Sequence, residues 1–180
     1  MNTARRWLGR DDDGRPFVVE VDADGYRVTG DVTLDWHRMR DLIGSDIAQT
    51  PDDALHEALS LVTETPFTGI DQSRWEWAQD DIAEVCATVA DVAHELSTRA
   101  LRAGDSRTAT WAAEKGLLAE PVSETLWRDL ITAAWSSGIP GRARDTIESA
   151  RAALEPLGDD LEDETVQLIN DVIAQERRHA

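Results

Sequence analysis

The sequence predicts a mainly α protein: a stack of about seven helices, arranged as three helical hairpins plus a C-terminal helix, with a short β-hairpin in front. Three observations predict it. From residue 33 onward, apolar residues recur at three- and four-residue spacing, which keeps them on one stripe of a helix. Glycine and proline interrupt that pattern at regular places, with Gly44, Gly104, Gly138 and Pro140 among them. The interruptions themselves repeat: Gly104 and Gly138 lie 34 residues apart, as do Ala109 and Ala143, and Gly116 and Ala150.

Residues 1–30 read as strand and turn material. "RRWLG" looks like the last turn of a helix stopped by Gly9, and "DDDGRP" is a turn cluster. "FVVEV" alternates, with Phe17, Val19 and Val21 on one side and Val18 and Glu20 on the other. "DADG" is a hairpin-turn signal, and "YRV" is the returning strand. A lone hairpin is marginal in water, so it must pack on something.

The helices follow in order. The first, over 33–43, carries Leu34, Met39, Leu42 and Ile43 near one face and is closed by Gly44. The second opens on Thr50 as cap, Pro51 at the first helical position and Asp53 three residues after the cap. Residues 63–77 form an irregular connection holding Phe67, Trp75 and Trp77. The longest helix, about 77–103, carries Ile82, Val85, Val89, Val92 and Leu96, and Gly104 ends it. Asp105 caps the fourth, to about 119; Pro121 and Ser123 start the fifth, with Leu126, Trp127, Leu130, Ile131 and Ala134 inward. Pro140 opens the sixth, with Ala143, Ile147, Ala150 and Leu154 inward, and Pro156 and Gly158 break the chain. The seventh, about 161–177, rests on Leu161, Leu168, Ile169, Val172 and Ile173.

A 34-residue helix–turn–helix period with small residues at fixed places is the tetratricopeptide signature. His94 and Glu95 are therefore neighbours on the first helix of such a unit. A zinc-protease helix would need a second His four residues on, and position 98 is Thr98.

Charge narrows the function. The chain has 36 acidic and 18 basic side chains, a formal charge of -18. Residues 1–30 hold five Arg against six acidic residues, so nearly all of the negative excess lies in 31–180. Affinity for DNA comes mostly from neutralising phosphates, so this field opposes DNA and anionic membranes. Cys86 is the only cysteine, which excludes an internal disulfide and a cysteine-based metal cluster. The start of the chain has no apolar leader and no run of 18 apolar residues occurs, which leads to the expectation of a cytoplasmic setting.

No nucleophile motif, phosphate-binding glycine loop or metal-ligand spacing occurs, so no enzyme, cofactor or metal is expected. Cys86 reads as a buried, inert thiol. His37, His56, His94 and His179 read as surface or boundary residues, and Asp11–Asp13 as a solvated loop. "DDLEDE" at 159–164 places acids at a helix N-terminus, where the dipole favours them. Trp111, Trp127 and Trp135 read as packing residues; Trp75 and Trp77, in the connection, are candidate anchors for a partner or plugs between the second and third helices.

The stretch "ADVAHELSTRALRAGDSRTATWAAEKGLLAEPVSETLWRDLITAAWSSG" resembles the bacterial transcriptional activator domain of the Streptomyces antibiotic regulatory protein family. The shared elements are the Gly104-Asp105 turn, Ala109, Ala113, "GLLAEP" and "SETLWRDL", with "ALSLVTETPFTGI" upstream. "DGYRVTGDVTLDWHRMRDLI" resembles the junction at which the last strand of a winged helix enters the activator domain. The texture is similar to actinobacterial members in which this module ends a long membrane protein carrying LysM segments. The resemblance implies that residues 1–30 are the C-terminal end of a winged helix (helix tail plus hairpin) and 31–180 the tetratricopeptide-like activator domain. It implies a non-enzymatic module of a transcriptional regulator that self-associates or binds a protein partner, while an upstream domain reads DNA. The groove is expected between the helices of 78–154. Arg99, Arg102, Arg128 and Arg142, cations on an acidic body, either take an acidic peptide or pair with nearby carboxylates. The alternative is direct DNA binding through residues 1–30, where only Arg5, Arg6 and Arg27 match the family's DNA-contacting elements and Asp22 and Asp24 oppose phosphate. A purely structural dimerisation domain is the remaining alternative.

Overall fold

The computed structural model describes residues 9–20, 25–29, 33–68, 76–155 and 161–179. The expected helix tail with Arg5 and Arg6, most of the "DADG" turn, Trp75, and the break at Pro156 and Gly158 lie outside the described residues. Contacts divide the chain into two compact units, residues 1–38 and 39–180.

The first unit contains an antiparallel hairpin of β1 (Val18–Glu20) and β2 (Tyr26–Val28), in the register Val18↔Val28 and Glu20↔Tyr26. Val18 is buried, whereas Phe17 and Val19 are half-buried. The turn ahead of it is held locally. Asp11 accepts the Arg15 amide at 2.7 Å on its carboxylate, and its carbonyl accepts the Gly14 amide at 2.9 Å. Asp11 thus shapes a turn of the kind Asp favours.

Seven α-helices occur among the described residues: α1 (Asp35–Ile43), α2 (Asp52–Ser60), α3 (Gln79–Arg102), α4 (Ser106–Ala119), α5 (Glu124–Ser136), α6 (Arg142–Leu154) and α7 (Asp163–His179). The division between the two units falls within α1, after Arg38. Local chemistry sets most of the ends. The Asp105 carboxylate accepts the Thr108 amide at 3.0 Å, and the Ser123 hydroxyl accepts the Leu126 amide at 3.4 Å. Gly104 and Gly138 end α3 and α5 at φ 77° and 66°, a conformation glycine adopts without penalty.

Three local expectations are corrected. Thr50 does not cap α2. Its hydroxyl donates to the Ile43 carbonyl at 2.6 Å, satisfying the end of α1, and α2 begins after Pro51 without a side-chain cap. Leu34 precedes the first residue of α1 and is 54% exposed, so it is not on the helix's buried face with Met39 and Ile43. α6 begins not at Pro140 but after Gly141, which turns the chain at φ 79°.

In the second unit, α3 packs on α4, α4 on α5, and α5 on α6, with α3 also against α5. α7 closes the stack on α5 and α6. α2 packs on α3 and α4. The 34-residue period becomes close packing. Ala109 and Ala143 are 0% and 2% exposed, and Gly116 and Ala150 are buried. A Cβ at Gly116 would stand 2.7 Å from the Ala93 Cβ, so glycine is what lets α3 and α4 approach. Trp127, Trp135, Leu168 and Ile173 pack around a core that includes Ile131, Ile147, Ile169 and Val172.

Candidate interaction surface

Two of the four candidate arginines hold the stack together. Arg99, near the end of α3, is only 20% exposed. Its Nε donates to Glu95 at 2.7 Å, and Nη1 donates to the Asp52 carboxylate and the Thr50 carbonyl, both at 2.7 Å. Nη2 donates to the carbonyls of Ala48 at 2.8 Å and Ile47 at 3.2 Å. The hydrogen bonds to Asp52 and Glu95 raise its pKa further. Arg128 on α5 pairs with Glu162 and donates to Thr165 Oγ1 at 2.9 Å and Thr125 Oγ1 at 3.1 Å. The Glu162 amide in turn donates to the Glu124 carboxylate at 3.0 Å, so a clasp joins the starts of α5 and α7.

The other candidates are placed differently. Arg102 lies exposed on the last turn of α3, with no ion pair among the described residues. Arg27 is exposed on β2. Trp77 belongs to the short 3-10 turn Glu76–Ala78 before α3. Arg142 opens α6, is half-buried, and makes no side-chain ion pair among the described residues.

Arg142 lines a groove of about 450 Å³ between α4 and α6, which do not pack extensively on each other. Its floor is α5, through Trp127, Leu130 and Ala134, spaced three and four residues apart on one face. α4 contributes Thr110, Glu114, Leu117 and Leu118, also one face; α6 contributes Arg142, Asp145, Thr146 and Ser149. Leu117, Leu118, Trp127 and Leu130 are each half-buried, so the groove offers large apolar side chains to solvent. The Trp127 indole is oriented by donating to the Pro121 carbonyl at 2.9 Å.

Sequence reasoning missed three contacts that lock helices. His94 on α3 meets the Asp129 carboxylate on α5 through Nδ1 at 2.7 Å. The two lie 35 residues apart, one repeat period plus one, and that spacing was the available signal. His56 on α2 stacks on Trp111 on α4, with ring centroids 4.2 Å apart. Lys115 donates to the Val62 carbonyl and stands 6.0 Å over Trp111.

The hydrogen bond to Asp129 raises the His94 pKa, aided by the charges of Asp129 and Glu95 and opposed by desolvation and Arg128. A His whose folded pKa is raised contributes stability that is complete below its unfolded value near 6.5 and is lost as pH rises through the folded value. His94 is 47% exposed, so the effect is small, below about 1 kcal/mol. Urea unfolding followed from about pH 5 to pH 8 should show this decline, and His94→Gln should flatten it. A wild-type profile identical to that of the variant would refute the assignment.

Cys86 is half-buried, not buried as expected: it lies at the edge of the α3 stripe. Burial and the negative charge of Glu120 raise its pKa, which keeps the thiol protonated and a poor nucleophile at neutral pH. Among the described residues, no group of three His, Cys, Asp or Glu side chains is placed to hold a metal ion. No helix among them is long and apolar enough to cross a membrane.

The fold and the groove define a helical scaffold with an open apolar channel. A family profile described as the bacterial transcriptional activator domain matches residues 35–173. The chain belongs to that family, which is regulatory and not catalytic. No curated protein and no solved structure matches the chain.

Proposed function

We propose that the chain is the protein-interaction module of a transcriptional regulator and does not itself grip DNA. The observation that carries this is the solvent-open apolar groove between α4 and α6 on a body of formal charge -18. Stacked helical hairpins present such surfaces to partners, in the manner of tetratricopeptide arrays. The negative field opposes a DNA contact by Arg5, Arg6 and Arg27. The resemblance of residues 1–30 to the end of a winged helix supports a regulator of the Streptomyces antibiotic regulatory type, with its DNA reader upstream. An actinobacterial source, a LysM-bearing membrane protein and a cytoplasmic placement belong to this same reading. Of the named partner residues, Arg142 and Arg102 make no ion pair among the described residues, whereas Arg99 and Arg128 are occupied by the fold.

Fused behind a heterologous DNA-binding domain, the whole chain should raise transcription from a promoter carrying that domain's operator. The unfused chain should not shift duplex DNA at low salt. A fusion no more active than the DNA-binding domain alone would count against the proposal. Salt-sensitive binding of duplex DNA by the unfused chain would favour the alternative.

A further inference from the structure

We infer that the α4–α6 groove seats a cationic amphipathic helix of a separate protein. The inference rests on the interaction reading above and names the occupant's chemistry. Shape comes first. α4 and α6 form two walls without extensive packing between them, α5 forms the floor, and the gap of about 450 Å³ runs between helices. An amphipathic helix meets such a channel with its apolar stripe, as helix-in-groove partners do. Leu117, Leu118, Trp127 and Leu130 are half-buried here and become fully covered by that stripe.

Charge selects the sign of the partner. Glu114 stands on the α4 wall and Asp145 on the α6 wall; both are exposed, and neither makes a side-chain ion pair among the described residues. Arg142 is the one guanidinium among the lining residues, so two carboxylates face one cation. Basic residues flanking the partner's apolar stripe meet Glu114 and Asp145. The body around the groove carries the same bias, since residues 31–180 hold 30 acidic against 13 basic side chains. A second copy of this chain brings the same negative field and is repelled, as is an acidic peptide. Like-charge juxtaposition therefore separates this occupant from self-association.

The test uses the whole 180-residue chain and a fluorescein-labelled amphipathic helical peptide of Leu and Lys, beside a Leu and Glu peptide of the same pattern. Fluorescence anisotropy should show binding of the Lys peptide and not of the Glu peptide. The groove variant Glu114→Lys/Asp145→Lys should weaken binding roughly tenfold. A charge-matched variant away from the groove, Asp81→Lys/Glu84→Lys on α3, should stay within about twofold of wild type. Circular dichroism checks each fold, and Glu114→Gln/Asp145→Asn gives a milder version of the same change. Equal losses in the two charge variants would mean diffuse attraction to an acidic surface and would overturn the inference. So would preference for the Glu peptide, absence of binding, or a wild-type dimer in sedimentation that Glu114→Lys/Asp145→Lys dissociates. If the groove variant leaves transcriptional activation by the fusion intact, the groove assignment fails while the interaction reading stands. Loss of activation by the wild-type fusion would remove the reading itself.

Discussion

Arg99→Ala should destabilise the chain by about 3 kcal/mol, read as a fall in the urea unfolding free energy. A guanidinium has five N–H donors in a fixed plane, and Arg99 makes five hydrogen bonds with them. Three of its acceptors are the backbone carbonyls of Ile47, Ala48 and Thr50, in the turn joining α1 to α2. The Ile47 carbonyl also accepts the Thr50 amide at 3.1 Å, but the truncated side chain leaves those of Ala48 and Thr50 to find water in a partly covered site. Arg99→Lys should recover less than half of the loss, because an ammonium is a point donor that cannot span Glu95, Asp52 and three carbonyls at once. Hydrogen exchange should locate the loosening at residues 47–60. A loss below about 1 kcal/mol for Arg99→Ala would mean that the bonds are exchanged for water at little cost. It also follows that reversing the charges of Arg99 and Arg128 tests folding before it tests partner capture.

The second large effect is at Gly116, in the last turn of α4. Helix propensity alone says that Gly116→Ala should stabilise by about 1 kcal/mol. Packing opposes it. The added Cβ would stand 2.7 Å from the Ala93 Cβ and 2.7 Å from Leu126 Cδ1. Leu126 can rotate away, although it is 1% exposed and has little room; the Ala93 Cβ is fixed to the α3 backbone. The helices must part, so packing should outweigh propensity. Gly116→Ala should be net destabilising by about 1 kcal/mol and Gly116→Val by about 3 kcal/mol. Thermal melts measure both. Ala93→Gly should partly rescue Gly116→Ala by removing the atom it strikes. A Gly116→Ala chain that melts above wild type would show that α3 and α4 have slack at this crossing.

Gly116 also marks how far the sequence could be read. It stands in register with Ala150, 34 residues on, and that repetition announces a close helix crossing without revealing which atoms meet there. The apolar floor of the groove was visible as periodicity in α5, but Leu130 and Trp127 look inward from sequence alone and are half-exposed in the fold. The reason is that α4 and α6 do not close over them, and a one-helix pattern carries no information about the spacing of its neighbours.

What the sequence determined by itself is the set of features that depend on a few adjacent residues. Asp105 and Ser123 start helices because their side chains reach amides three residues on. Gly104 and Gly138 stop helices because the backbone there must turn left-handed. The negative field follows from composition, whatever the fold. Tertiary structure alone decided the use of each polar group. The four candidate arginines look equivalent as cations on an acidic body, yet Arg99 and Arg128 bind the scaffold while Arg142 lines its groove. Thr50 was expected to cap α2, and it turned to the end of α1 because the fold brings the Ile43 carbonyl within 2.6 Å of its hydroxyl. His94 gained Asp129 only through the packing of α3 on α5. Such pairings reach across tens of residues and depend on helix rotation and approach. A local sequence window contains neither quantity.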